Sequence, residues 1–439
     1  MVERVETAVV RLWGEDIGAV SWLRERGYAV FEYEPQFLAK GLELSPIHMS
    51  IDTARRGDGL FSFPALNRDT FLGLPGLLAD ALPDRFGNSI IDTWLARNGR
   101  DIAGFSPVER LCYTGRRAMG ALEFHPPVQK NLDTPVGVEI DELTRLAARI
   151  MKQRTSLDVT LGEDEQLNNK ALLDILRVGT SAGGARPKAI IAMNGKGHVL
   201  SGQGDVPENY DYWILKFDGV DDLELGSPKE YGRIEYGYYL MAVAAGITMT
   251  ECRLLEEHGR AHFLTRRFDR ENGQKLHMQS LCGLAHFDFN MAGGYSYEQA
   301  FEVMRRLRLS RAEAVQQYRR MVFNILARNQ DDHTKNIAFL MERNGKWHLS
   351  PAYDLTYSHN PAGIWTNRHQ MSVNGKRDHF SFEDLIAVGE NISLPNPGRI
   401  IEEIYDAVQN WPRFAEKAGL DKSLSEEIGR NHRCEIVRK

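Results

Sequence analysis

Apolar positions in the first third of the chain fall in short runs of β-branched and aromatic residues. Thr7–Trp13, Ile17–Trp22 and Tyr28–Tyr33 each fit a strand, and Gly14, Gly27 and brief polar breaks join them into a meander. Phe61–Leu66 offers a further strand, and the stretch from Leu74 to Gly87 leads into a helix over Asn88–Ala96 that ends near Gly99. Asp80, Asp84 and Arg85 read as a structural ion-pair set. Pro126-Pro127 through Pro135 interrupts the pattern and marks a boundary. Helical spacing returns over Glu139–Gln153 and Asn168–Arg177, the second stopped by Gly179 at a C-cap position. Glu163-Asp164-Glu165, between them, reads as a solvated loop.

The middle of the chain alternates strands and turns. Ala189–Met193 and Asp211–Phe217 are apolar strands, the first closed by a turn at Asn194–Gly197. A helix over Pro228–Ala245 starts with proline, with Ser227 before it. Cys252–Glu256 and Ala261–Thr265 form a hairpin about His258-Gly259. The last third is mostly helical: Tyr297–Leu307, Arg311–Arg328 behind the N-cap Ser310, Pro397–Ala418 and Ser425–Cys434. The Arg311–Arg328 helix carries its apolar stripe at Ala314, Tyr318, Met321, Val322, Ile325 and Leu326. Ile337–Met341 and Trp347–Leu349 make a hairpin about Asn344-Gly345.

Candidate chemistry gathers around that hairpin. The loop Asn329–Asn336 precedes it, with Asp331 and Asn336 five positions apart, and Asp354 follows in Ala352–Leu355. A helix, an Asp-x4-Asn loop, a hairpin and a second Asp stand in the order of a kinase catalytic centre. Phosphoryl transfer needs a carboxylate beside the attacking hydroxyl, for which Asp331 is placed, and oxygen ligands for Mg²⁺, for which Asn336 and Asp354 qualify. The bland reading of the loop alone is an acidic surface turn.

Two upstream stretches fit the same chemistry. Thr180–Lys188 is a run of small residues opening into a strand, as a phosphate cover requires, although it matches neither the P-loop nor Gly-x-Gly-x-x-Gly. Lys216 lies in an apolar strand, where a lysine is costly to bury unless it meets anions. Glu230 and Glu235 are its candidate helix partners, with Glu235 favoured for lying nearer the face of Tyr239, Leu240 and Val243. The alternative is an edge-strand lysine reaching for water. Arg305, Arg306, Arg308 and Arg311 read as a solvated helix face.

Composition narrows the class. The 439 residues allow two or three domains, and 42% apolar with 26% charged content is ordinary for a globular protein. A net charge of −6 gives no global polycation for nucleic acid. Four scattered cysteines without ligand spacing read as reduced thiols, and no signal-length or membrane-length apolar run occurs, so a soluble, cytoplasmic chain with no membrane partner is expected.

Several motifs in one order resemble the HipA-like serine/threonine kinases, the toxins of type II toxin–antitoxin pairs. They are Leu77–Gly87, Gly183–Lys188, Ile214–Phe217, Arg267–Arg270, Asp331–Asn336 and Ala352–Leu355. The resemblance implies an α+β, two-lobed, protein-kinase-like fold with an extra N-terminal α+β subdomain and a helical C-terminal lobe. Its expected domains are 1–127, a kinase-like N-lobe over 128–268 and a C-lobe over 269–439. It implies ATP and Mg²⁺ as cofactors, Asp331 as base, Asn336 and Asp354 as metal ligands, and Lys216 on the phosphates. Ala182, Gly183, Gly184, Ala185, Arg186 and Lys188 would line the nucleotide, His333 would lie near its phosphates, and the backbone at Phe268 would meet adenine. Autophosphorylation in the loop would fall on Ser181, beside Thr180. The family's better-known members carry Gln-Glu where this chain has Arg186-Pro187, and proline stiffens that loop.

The implied partners are a HipB-like helix-turn-helix antitoxin, through which any DNA contact would be mainly indirect, and a protein substrate such as glutamyl-tRNA synthetase. Two other readings remain open from the residues. One is a small-molecule kinase, since Asp-x4-Asn also occurs there. The other is a kinase-derived corepressor module acting with a helix-turn-helix partner.

Overall fold

The computed structural model describes residues 4–57, 59–102, 104–127, 132–155, 169–179, 186–220, 230–271 and 273–437. The chain divides into two compact units, one of Met1–Leu44, Met49–Gly232 and Arg253–Met278, the other of Ser45–His48, Arg233–Cys252 and Gln279–Lys439.

The first unit begins with the expected antiparallel meander, β1 (Thr7–Leu12), β2 (Glu15–Leu23) and β3 (Tyr28–Tyr33). Alternation sets its inner face: Ala8, Val10 and Leu12 of β1 and Ala29, Phe31 and Tyr33 of β3 are buried. Gly18 is required where β2 crosses β3, since a Cβ there would lie 2.2 Å from Glu32 O. The further strand is shorter than expected. β4 (Leu60–Phe61) pairs with β3 and stops before Pro64, which cannot donate to a ladder. β5 (Leu122–His125), not foreseen, pairs with β1 and completes the order β4-β3-β2-β1-β5.

Two helices of this region depend on capping. Asp84 accepts from Gly87 N, so the Arg85–Arg97 helix starts a turn earlier than Asn88. The unforeseen Pro107–Thr114 helix is opened by a capping box between Ser106 and Glu109.

A second sheet holds β6 (Lys188–Asn194), β7 (Val199–Ser201), β8 (Tyr210–Lys216), β9 (Cys252–Glu257) and β10 (Arg260–Arg266), ordered β7-β6-β8-β10-β9. The Ile140–Thr155 and Asn169–Gly179 helices contribute to its core, where Leu143, Ala147, Ile175 and Leu176 join Ala189, Ile191, Trp213 and Leu215. β11 (Arg270–Glu271) and β12 (Gln274–Lys275) then form a two-residue hairpin.

The second unit is mainly helical. Its small sheet runs β13 (His277–Ser280), β14 (Ala338–Met341) and β15 (Trp347–Leu349). The Tyr231–Ala244 helix buries Ile234, Tyr238, Met241 and Ala242, while Val243 is exposed, so its inner face is turned from the expected Tyr239, Leu240 and Val243. The Arg311–Leu326 helix buries Tyr318, Met321, Val322, Ile325 and Leu326 as the stripe predicts, and Ser310 forms a capping box with Glu313. The single helix expected over Pro397–Ala418 is two, Pro397–Gln409 and Trp411–Lys417, with Pro412 in the first turn of the second. Lys422–Asn431 replaces Ser425–Cys434 because Asp421 caps it earlier. The Phe382–Asn391 helix went unforeseen. Among the described residues no helix is long and apolar enough to cross a membrane, and all four cysteines are free thiols.

Candidate active site

The loop after the Arg311–Leu326 helix is pinned at both ends by backbone hydrogen bonds. Arg328 turns left-handed with φ 55°. Asn329 N then reaches back to Asn324 O at 2.9 Å, while Gln330 N donates to Ser358 O and Ser358 N to Arg328 O, each at 3.1 Å. A short 3₁₀ turn over Thr334–Asn336 leads into β14. Thr334 Oγ1 anchors this turn by donating to Phe287 O at 2.7 Å.

Asp331 and Asp332 part company within this frame. Asp332 is buried and accepts from the Tyr297 hydroxyl at 2.9 Å, His369 Nδ1 at 2.8 Å and Gln370 N at 2.7 Å. Burial alone would raise its pKa, but His369, Gln370 N and Tyr297 outweigh that and hold the carboxyl below its ordinary value. Asp331 is about 40% exposed at its side chain and accepts from Trp365 Nε1 at 2.6 Å. His333 Nε2 stands 3.9 Å from the same Oδ1. The His333 ring lies 5.4 Å from that of Phe289, over which Lys335 Nζ sits at 4.7 Å. A reactive carboxylate must meet substrate, so Asp331 suits a base and Asp332 a scaffold.

Asn336 Nδ2 donates to Asp331 O at 2.8 Å, which fixes the flip of the amide and leaves Oδ1 as its acceptor atom. Asn336 and Asp354 line one small pocket together with His333. Asp354 is held in the left-handed region at φ 53°, and its carbonyl accepts from Asn329 Nδ2 at 3.4 Å. A non-glycine residue kept there by surrounding structure is a feature of functional sites. The donor set, one carboxylate and one amide oxygen, fits Mg²⁺, which keeps several of its waters. No group of three or more His, Cys, Asp or Glu able to hold a metal occurs among the described residues, so an all-protein cage is not formed by them.

The candidate nucleotide-binding residues upstream belong to the first unit. Lys216 ends β8, the central strand of its sheet, and lies in register with Lys188 of β6 and Phe263 of β10. The edge-strand alternative is thereby excluded. Lys188 is buried, and Lys216 Nζ is 5.8 Å from the Phe263 ring centroid. Glu235 is buried in its helix, whereas Glu230 precedes that helix with φ 49°. Arg186 stacks on Tyr231 at 3.9 Å. Thr180, Ser181, Ala182, Gly183, Gly184 and Ala185 lie outside the described residues, as does Glu163–Glu165.

Around the half-buried Phe268, the flanking residues do structural work that spacing could not reveal. Asp269 is fully buried and takes Arg267 Nη2 at 2.6 Å, Arg270 Nη1 at 2.7 Å and Gly120 N at 2.7 Å. Arg270 also reaches Gly120 O at 3.0 Å. Burial opposes ionisation of Asp269, but the two guanidiniums prevail and hold its carboxyl well below the usual carboxylate range. This cluster ties 118–120, at the edge of the first sheet, to the segment after β10. Trp365 and Tyr297 were likewise missed as site residues, being distant in sequence from the loop and lacking any local motif. Asp332, inside the loop motif, was given no role because only packing shows that it is buried.

The HipA-like C-terminal domain family matches residues 180–415, over half of the chain, and the HipA N-terminal domain family matches residues 8–125. The chain belongs to the HipA family. Its structure is similar to the HipA of Shewanella oneidensis MR-1, solved in a toxin–antitoxin complex of HipA, HipB and operator DNA, with a TM-score of 0.65 at 17% identity. That match covers 98% of this chain and 96% of the other. The HipA-like, kinase-like α+β fold with an N-terminal subdomain, expected from the motifs, is therefore the fold the chain has. The Helicobacter pylori proinflammatory kinase CtkA matches over 52% of this chain and 89% of its own at 12% identity, but its TM-score of 0.32 is too low to carry weight. No curated protein matches the chain.

Proposed function

We propose that this HipA-family chain is a Mg²⁺/ATP-dependent serine/threonine protein kinase, the toxin of a toxin–antitoxin pair. The observation that carries the reading is the Asp331 carboxylate, exposed and oriented, with Asn336 tied to its carbonyl and Asp354 lining the pocket that Asn336 lines. In this reading Asp331 accepts the proton of a serine or threonine hydroxyl as its oxygen attacks the γ-phosphorus. The bond from that phosphorus to the β–γ bridging oxygen breaks, and ADP leaves. Asn336 Oδ1 and Asp354 would hold Mg²⁺, which when bound offsets phosphate charge. Lys216, with Lys188 and the Gly183–Gly184 loop, would hold the nucleotide phosphates, and His333 would stand near them.

The remaining parts of the proposal follow the family. The Shewanella HipA is held with HipB and operator DNA, which supports a HipB-like helix-turn-helix antitoxin as the partner here, with DNA reached mainly through it. The target would be a translation factor such as glutamyl-tRNA synthetase, and its phosphorylation would arrest growth. Autophosphorylation of Ser181 would limit activity by placing up to two negative charges beside bound nucleotide.

The deciding experiment is labelling of the purified chain and a cell extract with [γ-³²P]ATP and Mg²⁺, beside Asp331→Asn. Label that disappears in the variant supports the kinase. Equal label in both removes Asp331 as base, and no label in either refutes protein phosphorylation.

A further inference from the structure

Asp331 is positioned by more than its own loop. The indole N–H of Trp365 donates to its Oδ1 at 2.6 Å although the two residues are 34 apart in sequence. The same tryptophan is fastened at its backbone: Trp365 O accepts from Gln370 Nε2 at 2.6 Å, and that amide also approaches Gln330 O at 3.2 Å. Gln370 N in turn donates to Asp332 Oδ1. Indole, Gln330, Asp331 and Asp332 thus share one hydrogen-bonded frame.

The loop bearing Trp365 is shaped to direct its ring inward. Asn360 N donates to Thr366 O at 3.1 Å and Gly363 N to Asn360 O at 3.0 Å, closing a compact turn. Its Ile364 is left 98% exposed, whereas Trp365 is partly buried against the carboxylate. Burying the indole while exposing the neighbouring aliphatic side chain places a donor where the aliphatic residue could supply none.

The chemistry of the two groups gives that donor a purpose. Rotation about the last side-chain bond of an aspartate is soft, so an unrestrained carboxylate presents either oxygen. The indole N–H donates and cannot accept, so it can steer a base without competing for the proton. With Oδ1 engaged, Oδ2 is the oxygen left to receive the acceptor hydroxyl. We infer that Trp365 is a positioning residue that holds Asp331 Oδ1 so that Oδ2 faces the phosphoacceptor. The inference rests on the kinase reading and deepens it.

The test measures transfer from [γ-³²P]ATP with Mg²⁺ to an Asp331→Asn copy of the chain as acceptor, separating kcat from KM. Trp365→Phe, which keeps a ring but no N–H, should lower kcat about tenfold and leave the acceptor KM within about twofold. Wild-type kcat in this variant, or an effect confined to KM, overturns the inference. Should Trp365→Phe also lower the melting temperature, Trp365→His decides. This variant restores a ring N–H, so kcat nearer wild type supports positioning and kcat as low as in the Phe variant refutes it. A wild-type chain no more active than Asp331→Asn removes the kinase reading and the inference together, an outcome distinct from normal transfer by the Phe variant.

Discussion

Asp331 and Asp332 are chain neighbours with opposite surroundings: Asp332 is buried under three hydrogen bonds, while Asp331 is partly exposed and takes the Trp365 indole N–H. Asp332 is turned into the interior, where it also lines the pocket shared by Asn336 and Asp354, while the Asp331 side chain stays about 40% exposed. Substitutions should therefore separate cleanly. Asp331→Asn should fold with a near-normal melting temperature and lose about 10²- to 10⁴-fold in transfer rate. Asp332→Ala should cost about 3–5 kcal/mol in urea unfolding, since it strands His369, the Tyr297 hydroxyl and Gln370 N in the interior.

Lys216 supplies a ligand test. It lies at the end of a central strand, across from Lys188. ATP with Mg²⁺ should raise the melting temperature of the wild type by mass action. Lys216→Met should remove most of that rise, measured by differential scanning fluorimetry against ATP concentration. An unchanged rise would place the phosphates elsewhere.

The Arg267–Asp269–Arg270 cluster predicts a defect in stability. All three residues are buried or nearly so, with Asp269 between the guanidiniums. Asp269→Asn leaves two buried cations without their carboxylate and should cost about 3–5 kcal/mol. Limited proteolysis should show the loss in the region joining Gly120 to Arg270.

Stability should also fall with acid through buried histidines. Burial, followed by nearby Arg328, pushes His432 down to about 3 from its ordinary 6.5. Its Nε2 lies 3.0 Å from the Tyr238 hydroxyl, which donates to Ala327 O at 2.6 Å. The unfolded chain therefore binds this proton more readily. The stabilising contribution is complete above about pH 6.5 and is lost as pH drops toward about 3, at up to about 1.4 kcal/mol per pH unit. His432→Gln should flatten the dependence of unfolding free energy on pH between 6.5 and 4, and an unaltered slope would assign the acid sensitivity to other groups.

Local patterning determined much of this protein. The β1–β3 meander, the Arg311–Leu326 helix with its Ser310 cap and the β14–β15 hairpin were legible because each is specified by alternation, helical spacing or turn chemistry within a few residues. The helix-loop-hairpin segment that carries Asp331, Asn336 and Asp354 was legible for the same reason, each of its parts being set by local spacing and turn chemistry. Tertiary structure alone decided that β5 closes the first sheet beside β1, that Lys216 ends a central strand, and that Asp269 joins Gly120 to two arginines. It also decided that Trp365 rests on Asp331. Those relations join residues far apart in the chain. No local propensity encodes them, because a strand's neighbour and a buried charge's partner are chosen by packing and by the cost of leaving polar groups unpaired.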